Sequence, residues 1–147
     1  NMACFLCIIM LYNATGRDDI EGYAGLADRS PFIAMSLSVA LFSLAGLPFF
    51  AGLTTKFYLL TAVADAGLLW LVALAILNSL ISLYYYLMVI KQMYMVDSKD
   101  NTALIFSRLS RYVLGGVVIG IFLVGVYPGP LVDLVQSASQ SIFSYIP

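Results

Sequence analysis

The apolar run over residues 31–64 constrains the fold of this chain more than any other feature. Lys56 is its only charged side chain. As one straight helix, at ~1.5 Å per residue, the run would be about 51 Å long. A tilt of 40° lengthens the path across a ~30 Å hydrocarbon core only to about 39 Å. The run is therefore too long for a single unbroken membrane span.

The middle of this run carries residues that interrupt a helix. It reads GLPFFAG over 46–52. Pro48 removes a backbone donor and disfavours helix at the residue before it. Gly46 and Gly52 lower the cost of non-helical backbone angles. We expect a broken helix, with half-helices at about 31–45 and 53–64 and an unwound segment between them. A kinked but continuous helix that protrudes from the membrane is the alternative.

The composition places the whole chain in a membrane. Hydrophobic residues make up 62% and charged residues 10%, against roughly 25% charged in soluble domains. No basic patch indicates nucleic acid, and with no His and two Cys we expect no metal site. We predict an all-α integral membrane fold over 1–147, as one transmembrane unit. Its elements are a partial helix at 1–12, the broken helix at 31–64, helices at 68–95 and 103–127, and an amphipathic tail at 130–146.

The amino terminus of the chain is unusual for a complete membrane protein. The apolar run at 1–12 is about half a span and lacks the charged region of a signal peptide. We therefore expect the chain to begin inside a helix of a longer protein.

Near the other end, Leu131, Leu134, Val135 and Ile142 alternate with Ser, Gln and one Asp. That pattern is typical of a helix lying on the membrane surface.

The distribution of basic residues predicts the topology. The loops at 13–30 and 96–111 are separated by two spans, so they share one side. The other side, with the turn at 65–67 and the tail, holds no Lys or Arg. Because basic loops stay in the cytoplasm, we expect both loops there and the carboxy terminus opposite. The basic residues on the loop side are Arg17, Arg29, Lys91, Lys99, Arg108 and Arg111.

Lys56 is the one basic residue that belongs to neither side of the membrane. A charged side chain at bilayer depth costs roughly 2.5–3.5 kcal/mol on insertion scales. An ammonium removed from water loses proton affinity, and lysine, unlike arginine, is readily deprotonated. We therefore expect Lys56 to transfer protons. The alternative is a lysine that snorkels to the interface.

A proton relay also needs polar partners. The chain offers few acids at depth, so we expect a carboxylate paired with Lys56 to come from a missing amino-terminal part or from another subunit. Asn78 and Ser82 lie four residues apart on one face of the helix at 68–95. They either hydrogen-bond to a neighbouring helix or line a wet path as candidate polar lining residues.

Several segments in combination resemble the antiporter-like subunits of respiratory complex I, and in particular their subunit N branch with its plastid, cyanobacterial and mitochondrial counterparts. The resemblance covers nearly the whole chain and is strongest from 19 to 87. The segments that carry it are DIEGYAGL at 19–26, SLAGLP at 43–48, AGL at 51–53, KFY at 56–58 and YYYL at 84–87.

The resemblance implies a fold of fourteen transmembrane helices in two inverted repeats, each with a broken helix. This chain would be the carboxy-terminal third of that fold, and 31–64 its broken twelfth helix. Lys56 matches the family's lysine there, which is thought to exchange protons with the exit side. The loop departs from the family at Phe49, where many relatives carry a second proline, and at Thr54-Thr55, where a Phe-Gly pair is common.

The resemblance also implies a function. The chain would be a proton-translocating membrane subunit of an NADH (or other donor):quinone oxidoreductase, without a redox centre and not catalytic alone. We expect it to bind no cofactor, since NADH and quinone are used elsewhere in the complex. Its partners would be other membrane-arm subunits and the lipid bilayer. The expected location is the bacterial plasma membrane, with thylakoid or mitochondrial inner membranes as alternatives.

Two rival functions remain open on the sequence. The first is a subunit of an Mrp-type Na⁺/H⁺ antiporter or the arm of a membrane-bound hydrogenase. The second is a helix bundle that serves as a scaffold and transports nothing. The sequence leaves the coupled ion, H⁺ or Na⁺, undecided.

Overall fold

The computed structural model describes the backbone of residues 1–98, 104 and 106–143. Every regular element in these ranges is helical, which confirms the predicted all-α fold. The long apolar run is divided into two helices, so the predicted broken helix is confirmed as well. The elements are α1 (Met2–Thr15), a 3₁₀ turn (Ile20–Tyr23), α2 (Leu26–Arg29), α3 (Pro31–Ala45), α4 (Ala51–Asp65), α5 (Leu69–Met95), α6 (Arg108–Val126) and α7 (Gly129–Phe143).

Some helix bounds differ from the expected ones. Helix α1 continues three residues beyond 12, and α6 begins at Arg108 rather than near 103. Helix α7 is described as far as Phe143, and the rest of the expected amphipathic tail lies outside the described residues, as do the side chain of Ile142 and all of Lys99.

Helix α3 is the centre of the bundle. Pro31 occupies its first turn, where a missing backbone N–H costs nothing. The helix packs against α1, α2, α4, α5 and α6. Ile33 and Leu37 are almost fully buried beside Cys7 of α1. Burial of this apolar cluster fixes α3, the first half of the broken helix, in the protein interior.

Helices α5 and α6 are long and apolar enough to cross a membrane. Each buries one residue in the described chain, Met93 in α5 and Leu114 in α6. One set of their other apolar side chains packs partly buried against the core, namely Tyr86, Val89, Ile90, Val117, Val118 and Ile121. Many of the remaining large apolar side chains are exposed. In water such a surface would be unfavourable, so these faces suit lipid or further helices.

A short turn reverses the chain between α4 and α5. Gly67 adopts a left-handed φ of 77° there, a conformation that glycine tolerates without steric cost. The two helices then pack against each other, and since the turn is short they run antiparallel. This arrangement places residues at equal distances from the turn beside one another.

The two polar loops meet at the other end of the bundle. The Leu104 N–H donates to the carbonyl oxygen of Arg29 across 3.3 Å. Gly25 lies so close to Ser98 that a Cβ on Gly25 would be 2.7 Å from the Ser98 Cβ. The 3₁₀ turn and α2 also pack on α5. The loop after α1 and the loop after α5 therefore share one end of the bundle.

Candidate functional site

The break between α3 and α4 is built by local backbone chemistry. Gly46 ends α3 with a left-handed φ of 85°. The Gly46 N–H donates to the Ser43 carbonyl (3.0 Å) and the Leu47 N–H to the Phe42 carbonyl (3.1 Å). This double closure is a Schellman motif, which satisfies carbonyls that a helix end leaves without partners. The chain thus leaves the helix at Gly46 without exposing these two carbonyl groups.

Ser43 joins the two half-helices directly. Its Oγ accepts a hydrogen bond of 3.2 Å from the backbone N–H of Gly52, in the first turn of α4. A Cβ on Gly52 would overlap the carbonyl group of Ser43. Glycine is therefore required at position 52 because the two backbones approach too closely for any side chain.

The side chain of Lys56 reaches back across the break. Its Nζ donates to the carbonyl oxygen of Ala45, the last residue of α3, at 2.9 Å. A second hydrogen bond, of 3.3 Å, joins Nζ to Oγ of Ser79 on α5. The stem lies against Gly46, where an added Cβ would be 2.9 Å from Lys56 Cδ. The half-buried ammonium thus sits at the carboxyl end of α3, where the helix dipole favours positive charge.

Helix α6 supports the loop of the break from the outside. The Phe50 ring packs on Phe122 with centroids 5.1 Å apart. Gly125 lies against the backbone of Phe49 and Phe50 and leaves no room for a Cβ. Phe49 follows Pro48 and has a φ of 73°, which costs about 1–2 kcal/mol for a non-glycine residue. Proline cannot adopt this angle, so the loop of this chain differs from loops with a second proline.

A cavity of about 330 Å³ adjoins the break. Its polar lining comes from Asn1, Ser43, Thr55 and Lys56, and residues such as Ala40 and Ile121 contribute apolar surface. Since a water occupies ~30 Å³ of liquid volume, this space would hold several. Lys56 therefore borders a space that is large enough for water.

The polar residues predicted on α5 do not bond Lys56 in the structure, and their neighbour Ser79 does. Asn78 is exposed, and the Ser82 hydroxyl donates to the Asn78 carbonyl at 2.9 Å within α5. The α5 side chain that reaches Lys56 is Ser79. Sequence reasoning missed Ser79, although it and Lys56 lie at similar distances from the turn at 66–68. A role of Asn78 and Ser82 as polar lining stays a prediction.

A second, larger cavity of about 700 Å³ lies at the loop end. Its charged lining includes Arg17, Glu21, Arg29 and Asp97. Beside it, Arg17 Nε donates to Asp19 Oδ1 at 3.0 Å, and Nη2 donates to Oδ2. These hydrogen bonds hold the pKa of the Asp19 carboxyl below its usual value. The pair is exposed to solvent, so it orders the turn more than it stabilises the fold.

Comparison with known families gives one family model whose matched range contains the broken helix and its lysine. Residues 1–82, more than half of the chain, match the family model described as "NADH:quinone oxidoreductase/Mrp antiporter, TM". The chain belongs to this family. The match includes the break, Lys56 and Ser79. The resemblance to the antiporter-like subunits of complex I is thereby confirmed, and the family makes this a multi-pass membrane protein.

Individual relatives agree with the family assignment. NADH-quinone oxidoreductase subunit N of Heliobacterium modesticaldum is 38% identical over 144 residues, which is 97% of this chain. The subunits N of Moorella thermoacetica and Desulfitobacterium hafniense are 36% and 34% identical, again over 97% of this chain. The chain spans only about 30% of the length of these relatives.

Proposed function

We propose that this chain forms the lysine-bearing part of a membrane subunit that translocates protons in an NADH:quinone oxidoreductase, or in a related complex with another electron donor. The proposal assigns proton transfer to Lys56 and no redox centre to this chain. The observation that carries it is the hydrogen bond between Lys56 Nζ and the Ala45 carbonyl at the break. The names of the relatives support the choice of complex.

The depth of Lys56 supports this role over that of a snorkelling lysine. At ~1.5 Å per residue, Lys56 lies about 14 Å of helix from Asp65, the last residue of α4. Ser79 lies about 15 Å from Leu69, where α5 begins. Half of a ~30 Å hydrocarbon core is about 15 Å. The Lys56 side chain points to partners inside the protein at this depth, whereas a snorkelling side chain would extend toward the headgroups.

The break supplies what a protonatable amine needs at that depth. The carboxyl end of α3 stabilises the charged ammonium, and the adjoining cavity, which Lys56 lines, has room for water. A charge that moves nearby in the complex would shift the balance between ammonium and neutral amine. Lys56 would then take a proton from one side of the membrane and release it toward the other.

The remaining components would come from outside this chain. A carboxylate that pairs with Lys56 would belong to the rest of the subunit or to a neighbouring membrane-arm subunit. NADH and quinone would react elsewhere in the complex, and this chain would bind neither. The driving force for proton transfer would therefore reach Lys56 through its protein neighbours.

The orientation in the membrane forms part of the proposal. The two polar loops meet at one end of the bundle, and Arg17 and Arg29 belong to the first of them. The positive-inside rule places that end in the cytoplasm of a bacterial plasma membrane. The turn at 66–68 and the carboxy terminus would then lie on the opposite side.

An Mrp-type Na⁺/H⁺ antiporter subunit is the second candidate. One observation favours it, namely that the matching family model covers Mrp antiporters as well as quinone oxidoreductases. The relatives named above are all subunits of quinone oxidoreductases, so we prefer the first candidate. Measuring whether NADH oxidation drives proton uptake in membranes that contain the full-length protein separates the two.

The test of the proposed function is Lys56→Met in the full-length subunit within the assembled complex. NADH-driven proton uptake into inverted membrane vesicles should fall roughly a hundredfold, the scale of a lost acid–base group. Lys91→Met is the matched control, because Lys91 is an exposed lysine near the loop end of α5. Uptake by assembled Lys56→Met at the level of Lys91→Met would show that the site is a scaffold.

A further inference from the structure

We propose that Ser79 is the positioning residue that holds the Lys56 amine in place both before and after it gives up its proton. This inference rests on the proposed function, since it concerns a lysine that changes its protonation state. It assigns a role in transport to a residue of α5, whose contact with α4 the sequence alone does not reveal.

The geometry puts two acceptors around one nitrogen. Lys56 Nζ lies 2.9 Å from the Ala45 carbonyl oxygen and 3.3 Å from Ser79 Oγ. The two acceptors come from different helices, α3 and α5, while Lys56 itself belongs to α4. The nitrogen is thus held where three helices meet, and Ser79 is half-buried at that point.

The two acceptors differ in what they offer a neutral amine. A carbonyl oxygen only accepts hydrogen bonds, whereas a serine hydroxyl both donates and accepts. An ammonium has three N–H donors and no acceptor. Once Nζ loses a proton it gains a lone pair that can accept a hydrogen bond. The Ala45 carbonyl has no hydrogen to donate to it. Rotation of the Ser79 O–H would turn it from acceptor to donor, so that Nζ keeps both neighbours in either state.

The Ser79 hydroxyl differs from those of Thr55, Thr61 and Ser82 in its hydrogen-bond partner. Thr55, Thr61 and Ser82 donate to carbonyls of their own helices, a common arrangement for Ser and Thr in helices. The recorded bond of Ser79 is instead to Lys56 on the neighbouring helix. A hydroxyl held by its own helix would not follow the protonation of Lys56, but one bonded to Nζ would.

The experiment compares Ser79→Thr with Ser79→Val in the full-length subunit of the assembled complex. Thr and Val have nearly the same shape, and only Thr keeps the hydroxyl. NADH-driven proton uptake, normalised to assembled complex, should stay within about twofold of the unmodified protein in Ser79→Thr. It should fall roughly tenfold in Ser79→Val, the scale of a lost hydrogen bond to a charged group. Thr61→Val serves as control, since the Thr61 hydroxyl bonds the Phe57 and Tyr58 carbonyls.

Each alternative result has a distinct meaning. Equal uptake by Ser79→Thr and Ser79→Val, whether high or low, would overturn the inference, because a packing role does not distinguish the two side chains. Uptake by Ser79→Val at the level of Thr61→Val would overturn it as well. Loss of uptake in Lys56→Met alongside such a result would leave the proposed function intact. Normal uptake in Lys56→Met would instead overturn the proposed function itself.

Discussion

Lys56 Nζ donates a 2.9 Å hydrogen bond to the carbonyl oxygen of Ala45, although the whole helix break separates the two residues along the chain. The Lys56 side chain thus bridges the break, where the helical backbone is interrupted. It places a positive charge at the negative end of α3, an arrangement that helix dipoles favour by about 0.3–1 kcal/mol at exposed sites and more when partly buried. The break and the lysine therefore form one structural unit.

We expect Lys56→Arg to keep the positive charge at the break but to lose proton transfer. Arginine keeps the positive charge and its donors but effectively cannot be deprotonated. We expect the complex to assemble with Lys56→Arg to near normal levels, because the end of α3 still has a cationic partner. Proton uptake should fall nearly as far as in Lys56→Met. Native gel quantification of the complex beside vesicle proton uptake measures both. Full uptake with arginine would mean that charge alone matters at this position.

Gly52→Ala should damage the break itself. Its Cβ would overlap the Ser43 carbonyl group, and backbone cannot move aside as a flexible side chain does. We expect a loss of about 3 kcal/mol of stability, seen as less assembled complex and a lower unfolding temperature. Gly115→Ala is the control, because there a Cβ would meet Phe32 at an ordinary 3.8 Å. Similar stability of the two variants would show that the half-helices lie further apart than described.

The topology predicts opposite labelling of two exposed positions. In a subunit whose native cysteines are replaced, Asp18→Cys should react with a membrane-impermeant maleimide from the cytoplasmic side only. Ala66→Cys, in the turn between α4 and α5, should react from the other side only. Both positions are exposed, so access rather than burial decides the outcome. Labelling of both cysteines from the same side would contradict the single membrane crossing, by the broken helix α3–α4, that we place between them.

The Arg17–Asp19 pair predicts little pH dependence of the first loop near neutrality. The Arg17 hydrogen bonds lower the pKa of Asp19 from its ordinary value of 3.8. A lowered pKa means that the ion pair is complete above that value and is lost only as pH falls through the lower folded pKa. We expect protection of the 17–23 segment from hydrogen exchange, corrected for intrinsic rates, to stay constant between about pH 5 and 8.

A substitution isolates the same pair at neutral pH. Asp19→Asn removes the charge and one hydrogen-bond acceptor for Arg17, and the exchange of the 17–23 segment should become a few-fold faster, as expected for an exposed pair. Asp18→Asn, next to it, should leave the exchange unchanged. Equal effects of the two variants would mean that net loop charge, rather than the pair, orders this turn.

The sequence by itself determined the membrane class and the place of the break. Hydropathy and the length of an apolar run are properties of the chain itself, and Pro48 and Gly46 act on their own backbone. The membrane class and the place of the break can therefore be predicted without knowing which helices pack together. The expected start of the second half-helix, at 53, differs from the observed Ala51 by two residues. Helix ends commonly vary by this much because the last turn depends on local contacts.

Only the tertiary structure decided which groups surround Lys56. Asn78, Ser79 and Ser82 are all polar residues of α5, and the sequence pattern pointed to the first and last. The rotation of α5 about its axis, set by its packing on α3 and α4, turns Ser79 toward the amine instead. The link from Ser43 to Gly52 arises in the same way. These contacts depend on how separate helices pack together, and local backbone preferences carry no information about that packing.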